Sequence, residues 1–135
     1  MYAFTLERPD SVADAARLVA AGAKPLAGGQ TLLASMKLRL SAPEQLVDLS
    51  GIKELTGITK NGNAITIGAM SRHLDVANNA DLKAAYPALA DLASRIGDRQ
   101  VRAMGTIGGS VANNDPAACY PSAVLGTGAT VVTSK

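Results

Sequence analysis

The chain has 135 residues, a net charge of +2 and 47% apolar side chains, with no Trp and a single Phe. That is enough chain for one compact domain burying roughly two-thirds of its unfolded surface, around a core of tightly packed aliphatic residues. Without a run of Lys or Arg, and with few aromatics for stacking, the composition argues against a nucleic-acid partner.

Along the chain, Phe4–Leu6 reads as a short strand. Ser11 then caps a helix, with Asp14 three residues on as a capping-box variant. Val12, Ala15, Ala16 and Val19 form its apolar stripe, and Gly22 suits its C-terminal end. Lys24–Ala27 is a buried strand running into Gly28-Gly29. Thr31 caps a further helix over Leu32–Leu38, and Gln45–Leu49 is a third strand. Strand–helix–strand–helix–strand is a small α/β unit. The character then changes. Ile58–Ile67 alternates apolar and polar around Asn61-Gly62, a strong hairpin signal. Ser71 starts a short helix reaching about Asn78. Leu82–Tyr86 and Ala88–Ile96 are helical on either side of Pro87, and Gly97 closes the second. A helical stretch around Ala117–Leu125 and a strand over Thr130–Thr133 complete the chain. The expected organisation is α+β: residues 1–55 as a small α/β subdomain and 56–135 as a second, incomplete α+β subdomain.

The single cysteine, Cys119, excludes an internal disulfide and cannot hold an iron–sulfur cluster alone. A lone thiol fits a reducing compartment, and the N-terminus lacks a signal pattern. The longest uncharged run, Pro116–Ser134, is broken by proline, serine and glycine and makes a poor membrane span. A soluble, cytoplasmic protein is expected.

Two glycine corners stand out: "PLAGGQTLLASMKLRL" from Pro25, and "GTIGGSVANNDP" from Gly105. Glycine lets the backbone turn with positive φ and lets a ligand approach the main chain. Successive N–H groups in such a corner, followed by a helix, form an anion site. Each charge-assisted N–H to a phosphate oxygen contributes roughly 1.5–3 kcal/mol, so two facing corners can hold a diphosphate without lysine. The alternative is two ordinary turns between strands and helices. Known phosphate motifs do not apply. The Walker A pattern fails for want of its lysine, and "GTGATV" at Gly126–Val131 lacks the third glycine of a dinucleotide fingerprint.

Together with "VRAMGTIGGSVANNDPAACYPSAVLGTGATV", "LVDLSGIKEL" and "ITIGAMSRHLDV", the first corner resembles the FAD-binding medium subunit of molybdenum hydroxylases, the carbon-monoxide-dehydrogenase and xanthine-dehydrogenase type. The likeness covers essentially the whole chain, in family order. It implies a vanillyl-alcohol-oxidase-like FAD domain with the cofactor between the two subdomains. By that resemblance Ala27, Gly28, Gly29, Gln30 and Thr31 wrap the diphosphate, flanked by Pro25, Leu26 and Leu32. Thr106, Ile107, Gly108, Gly109 and Ser110 supply the opposing contact. Ile96 matches a position near the adenine. Cys119 matches a position often held by an acid that reaches the flavin's sugar-like chain.

The thiol is a departure, being a weak hydrogen-bonding group. Either Asp115 or Tyr120 takes over that contact or it is absent, and the other reading of Cys119 is a small buried hydrophobe. His73, the only histidine, is expected at the surface or in a capping role. Arg95, Arg99 and Arg102 are read as one helical face, solvated by default, with a diphosphate or partner contact as the alternative. A second departure is length, since family members continue well past residue 135 and some flavin-ring contacts come from that later part; a truncated product, a fragment or a shortened chain is inferred.

The resemblance implies a subunit passing electrons from iron–sulfur clusters on a small subunit, fed by a molybdenum-cofactor large subunit, through FAD to an acceptor. No acid, base, nucleophile or metal ligand is assigned to this chain. The competing reading is a non-catalytic interaction module that keeps the fold without binding flavin.

Overall fold

The computed structural model describes residues 1–134. Its first half is built on a three-stranded parallel sheet. The strands are β1 (Thr5–Glu7), β2 (Lys24–Leu26) and β3 (Gln45–Asp48), in spatial order β1-β3-β2, with Leu46 opposite both Leu6 and Lys24. The central strand carries the burial: Leu46 and Val47 are fully buried, while β1 is exposed along its length. That is the expected consequence of a parallel sheet covered by its crossovers at the middle.

Helix α1 (Val12–Ala20) starts where Ser11 Oγ accepts the Asp14 N–H at 3.1 Å. The expected capping box is not reciprocal. The Asp14 carboxylate instead accepts from the Ser11 hydroxyl and from Arg17. Gly22, at φ +108°, ends the helix, and the Ala23 N–H reaches back to Leu18 O. Ala15, Ala23, Val47 and Ile52 form the first core cluster, with Val12, Leu18, Leu49 and Leu55 against it. Helix α2 (Leu32–Lys37) follows the first glycine corner and buries Met36. Thr31 does not cap it, because its backbone is already helical and its hydroxyl makes no cap bond; the Leu33 N–H turns to Gly29 O instead.

The hairpin is β4 (Ile58–Asn61) and β5 (Ala64–Ile67), antiparallel, with Ile58 opposite Ile67 and Asn61 opposite Ala64. The turn residues are thus Gly62-Asn63, one place later than the expected Asn61-Gly62. Gly62, at φ +59°, takes the first central position, as a type II′ hairpin asks. This register puts Ile58, Ile65 and Ile67 on one face, against the second core.

That core is Val76, Ala77, Leu82, Ala93 and Tyr120, gathered from α3 (His73–Asn78), α4 (Ala80–Ala85), α5 (Pro87–Ser94) and α8 (Cys119–Gly126). Between α5 and α8 lie α6 (Arg99–Met104) and α7 (Ile107–Asn113). Several starts differ from expectation. Ser71 is buried and donates its hydroxyl to Gly57 O at 3.1 Å, so α3 begins one residue later, with the Asp75 carboxylate accepting the Arg72 N–H at 3.0 Å. Asn79 caps α4, and Pro87 opens α5 in the first turn, where its missing N–H costs nothing.

Asp98 caps α6, a helix the sequence reading did not contain, by accepting the Val101 N–H at 2.8 Å. Arg95, Arg99 and Arg102 therefore do not share one helical face. Arg95 lies beyond the end of α5 paired with Asp91, while Arg99 and Arg102 belong to α6. The expected strand at Thr130–Thr133 is not formed. The segment belongs to neither described sheet, and Val132 is 88% exposed. Among the described residues no helix is long and apolar enough to cross a membrane.

Candidate functional site

The first glycine corner leaves β2 and enters α2; the second is the first turn of α7. They meet. A β-carbon on Gly28 would run into Met104 O and come within 2.7 Å of Gly105 Cα. One on Gly109 would sit 3.4 Å from Ala27 Cβ and 2.9 Å from Thr106 Oγ1. Main chain therefore touches main chain at Gly28, and Ala27 faces Gly109. Gly29 serves differently: at φ +72° it makes the turn itself, packed under Leu26 and Leu33.

The two corners differ in what their N–H groups do. Gly28, Gly29, Gln30 and Thr31 donate to no described residue through their main-chain N–H groups. In the second corner every amide from Ile107 to Ser110 is engaged. Ile107 donates to Ser71 O at 3.0 Å and Gly108 to Ala69 O at 2.8 Å. Gly109 donates to Thr106 Oγ1 at 3.1 Å and Ser110 to Thr106 O. The first corner is an open amide cradle; the second is a bare wall braced from behind. Thr106 and Ser71 are buried in that bracing. Gly108 is needed for space, since a β-carbon there would stand 2.5 Å from Ala69 Cβ. The Ser110 hydroxyl bonds to no described residue, and that of Thr106 only accepts, from the Gly109 N–H.

The expected site residues thus fall in two groups. Pro25 to Leu32 and Thr106 to Ser110 are brought together. Ile96 lies at the end of α5, half-buried, its carbonyl taken by the Arg102 guanidinium at 3.2 Å. Cys119 is the exposed first residue of α8, so the buried-hydrophobe reading does not hold. Of its suggested substitutes, Tyr120 is fully buried in the second core and points no group outward, and Asp115 has one oxygen on the Ala117 N–H. Two hollows of about 310 and 300 Å³ lie elsewhere, one beside Asp75 and Asn79, the other along α1, and neither includes a residue of the glycine corners.

His73 is not at the surface. It is 5% exposed, tilted against the Tyr120 ring at 5.3 Å between centroids, and its N–H donates to Gly105 O at 2.9 Å. The cause is the antiparallel bridge of Arg72 with Thr106, which turns alternate residues inward beneath the second corner. Gly105 has no side chain because His73 Nε2 occupies the place where its β-carbon would be, 2.5 Å away. Burial lowers the His73 pKa. It raises that of Tyr120, with a smaller contribution from Cys119. His73 Nδ1 and Tyr120 Oη are buried without hydrogen-bond partners among the described residues. Sequence reasoning also missed the floor of the site, Met104-Gly105, since nothing in local spacing says which backbone will press on Gly28.

The open amides of the first corner lie beside the glycine wall of the second, with the Ala27 methyl between them, an arrangement able to receive an anion. The fold around it is that of an FAD-binding domain. Residues 2–135 match the family described as the FAD binding domain in molybdopterin dehydrogenase, and the chain belongs to that family. It is 35% identical over 134 residues to the glyceraldehyde dehydrogenase medium chain of Sulfolobus acidocaldarius, covering 98% of this chain and 48% of that one. It is 42% identical to the carbon monoxide dehydrogenase medium chain of Afipia carboxidovorans, covering 93% and 45%. A crystal structure of a Cu,Mo-CO dehydrogenase superposes with a TM-score of 0.89 at 41% identity, over 92% of this chain and 44% of the other. Quinoline 2-oxidoreductase from Pseudomonas putida 86 gives a TM-score of 0.85 at 32% identity, over 89% and 43%. The chain spans less than half the length of these relatives.

Proposed function

We propose that this chain is the FAD-binding portion of the medium subunit of a molybdenum-containing hydroxylase or dehydrogenase, serving electron transfer from iron–sulfur clusters to an acceptor. Its partners in that reading are an iron–sulfur small subunit and a molybdenum-cofactor large subunit. The observation that carries the proposal is the contact between Gly28 and Met104-Gly105, which joins the two corners into one binding face. The medium-chain names of the relatives support the subunit assignment.

FAD, when bound, supplies a redox centre able to accept electrons singly and release them in pairs; the protein supplies binding, orientation and electrostatics. Ala27–Thr31 donate amides to the diphosphate, with Pro25, Leu26 and Leu32 flanking. Thr106–Ser110 close the other side, where the absence of side chains at Gly108 and Gly109 allows close approach. Ile96 borders the adenine and Cys119 the flavin's sugar-like chain. In this reading residues 1–55 and 56–135 are the two subdomains whose loops share the cofactor. No proton transfer is asked of any residue.

The test is a titration of the purified chain with FAD, followed by quenching of flavin fluorescence, alongside Gly109→Asp. Saturable quenching is expected in the parent. The variant should bind at least about tenfold more weakly, because its carboxylate would face the diphosphate across the Ala27 contact. No binding by the parent at millimolar FAD, or equal binding by the variant, overturns the assignment.

A further inference from the structure

We propose that Arg72 is the cation that meets the cofactor's diphosphate, acting across the face it shares with Thr106; the inference rests on the flavin reading. A diphosphate brings about two negative charges to its site, and neither Pro25–Leu32 nor Thr106–Ser110 contains a Lys or Arg. The amides of Gly28–Thr31 offer partial charges only. Those of Ile107–Ser110, which would be the natural complement, are spent on Ser71, Ala69 and Thr106. A full positive charge beside those amides can come only from outside the two corners.

The backbone puts one there. Arg72 and Thr106 are paired across an antiparallel bridge, flanked by His73 N–H to Gly105 O at 2.9 Å and Ile107 N–H to Ser71 O at 3.0 Å. The two residues exchange no hydrogen bonds themselves, so they form the close kind of pair. In such a pair the β-carbons stand about 4.5–5.5 Å apart on the same face. Thr106 Oγ1 in turn holds the Gly109 N–H, and Gly109 faces Ala27. Arg72, Thr106, Gly109 and Ala27 are thus consecutive neighbours along one face.

Arg72 also has its charge unspent, as has Arg99 at the start of α6, which lies outside the bridge with Thr106. The Arg72 side chain is exposed, and its guanidinium makes no hydrogen bond or ion pair with a described residue; Asp75 binds its main-chain N–H instead. Arg102 is committed to Ile96 O and Gly97 O, Arg95 to Asp91, and Arg39 lies over the Tyr2 ring. A guanidinium presents parallel N–H donors that match a phosphate's paired oxygens, which an ammonium does not.

The experiment measures FAD and ADP binding to the 135-residue chain and to Arg72→Gln and Arg72→Lys, over a range of salt concentrations, with thermal melts as the folding control. Arg72→Gln should raise Kd about tenfold for FAD and for ADP alike, since both carry the diphosphate, and should flatten the salt dependence. Arg72→Lys should keep the salt dependence with a smaller loss. Parent binding with Arg72→Gln within about twofold and of equal salt slope overturns the inference and leaves the flavin reading standing. A loss confined to FAD overturns the diphosphate contact. A parent that binds neither ligand overturns both.

Discussion

His73 bears the chain's only imidazole, and it lies in a place where charge is unwelcome. Its Nδ1 has no partner among the described residues, and burial holds its pKa below the ordinary value of 6.5. The unfolded chain takes up the proton first as pH falls. Between 6.5 and the lower folded value the unfolded state therefore holds more protons, and stability rises with pH through that window. The contribution is complete above 6.5 and is lost as pH drops through the folded value. The urea midpoint of the chain should accordingly fall between about pH 7.5 and pH 5.5, and His73→Gln should remove that part of the fall. Identical pH slopes for parent and variant would show that the imidazole is solvated. The burial of His73 was not legible in the sequence, because its cause is a pairing with residues more than thirty positions away. Local order shows only a polar residue at a helix start.

Helix α7 is the element on which the site leans most, and its sequence is a poor helix former. Its first turn contains Gly108 and Gly109, each costing about 1 kcal/mol of helix propensity relative to alanine. What offsets this is the cap: Thr106 Oγ1 accepts the Gly109 N–H, while Ile107 and Gly108 donate to Ser71 and Ala69. Thr106→Ala should destabilise the chain by about 1 kcal/mol, and Thr106→Ser should restore most of it. A circular-dichroism melt reads both; an unchanged midpoint for Thr106→Ala would mean the helix is held by its flanks alone. Elements were legible where their signals are local. Ser11 and Gly22 bracket α1, and the alternation over Ile58–Ile67 located the hairpin to within one residue. Helix α6 carried a local signal that went unread, the Asp98 cap between Gly97 and Gly105, whereas whether the β-branched segment Thr130–Thr133 forms a strand depends on pairing that local order does not specify.

At the scale of the molecule, the two glycine corners hang from different supports. The first leaves the parallel sheet, whose core is Ala15, Ala23, Val47 and Ile52. The second is braced on α3 and the segment after the hairpin, over the core of Val76, Leu82, Ala93 and Tyr120. Both corners could be read as glycine-rich in the sequence, but their mutual contact could not, since Gly28 meets Met104-Gly105 only once both supports are folded. A ligand spanning that contact should bind the assembled face and neither half alone. Binding to the native state only stabilises it by RT ln(1 + [L]/Kd), about 2.7 kcal/mol when FAD is at a hundred times its Kd. The expected result is a single melting transition that moves up as one with FAD concentration, reported equally by secondary structure and by tyrosine fluorescence in a Tyr2→Phe, Tyr86→Phe background that leaves Tyr120 as the only emitter. Two transitions, with FAD raising only one of them, would mean that the cofactor engages one corner and that the shared face is not its binding site.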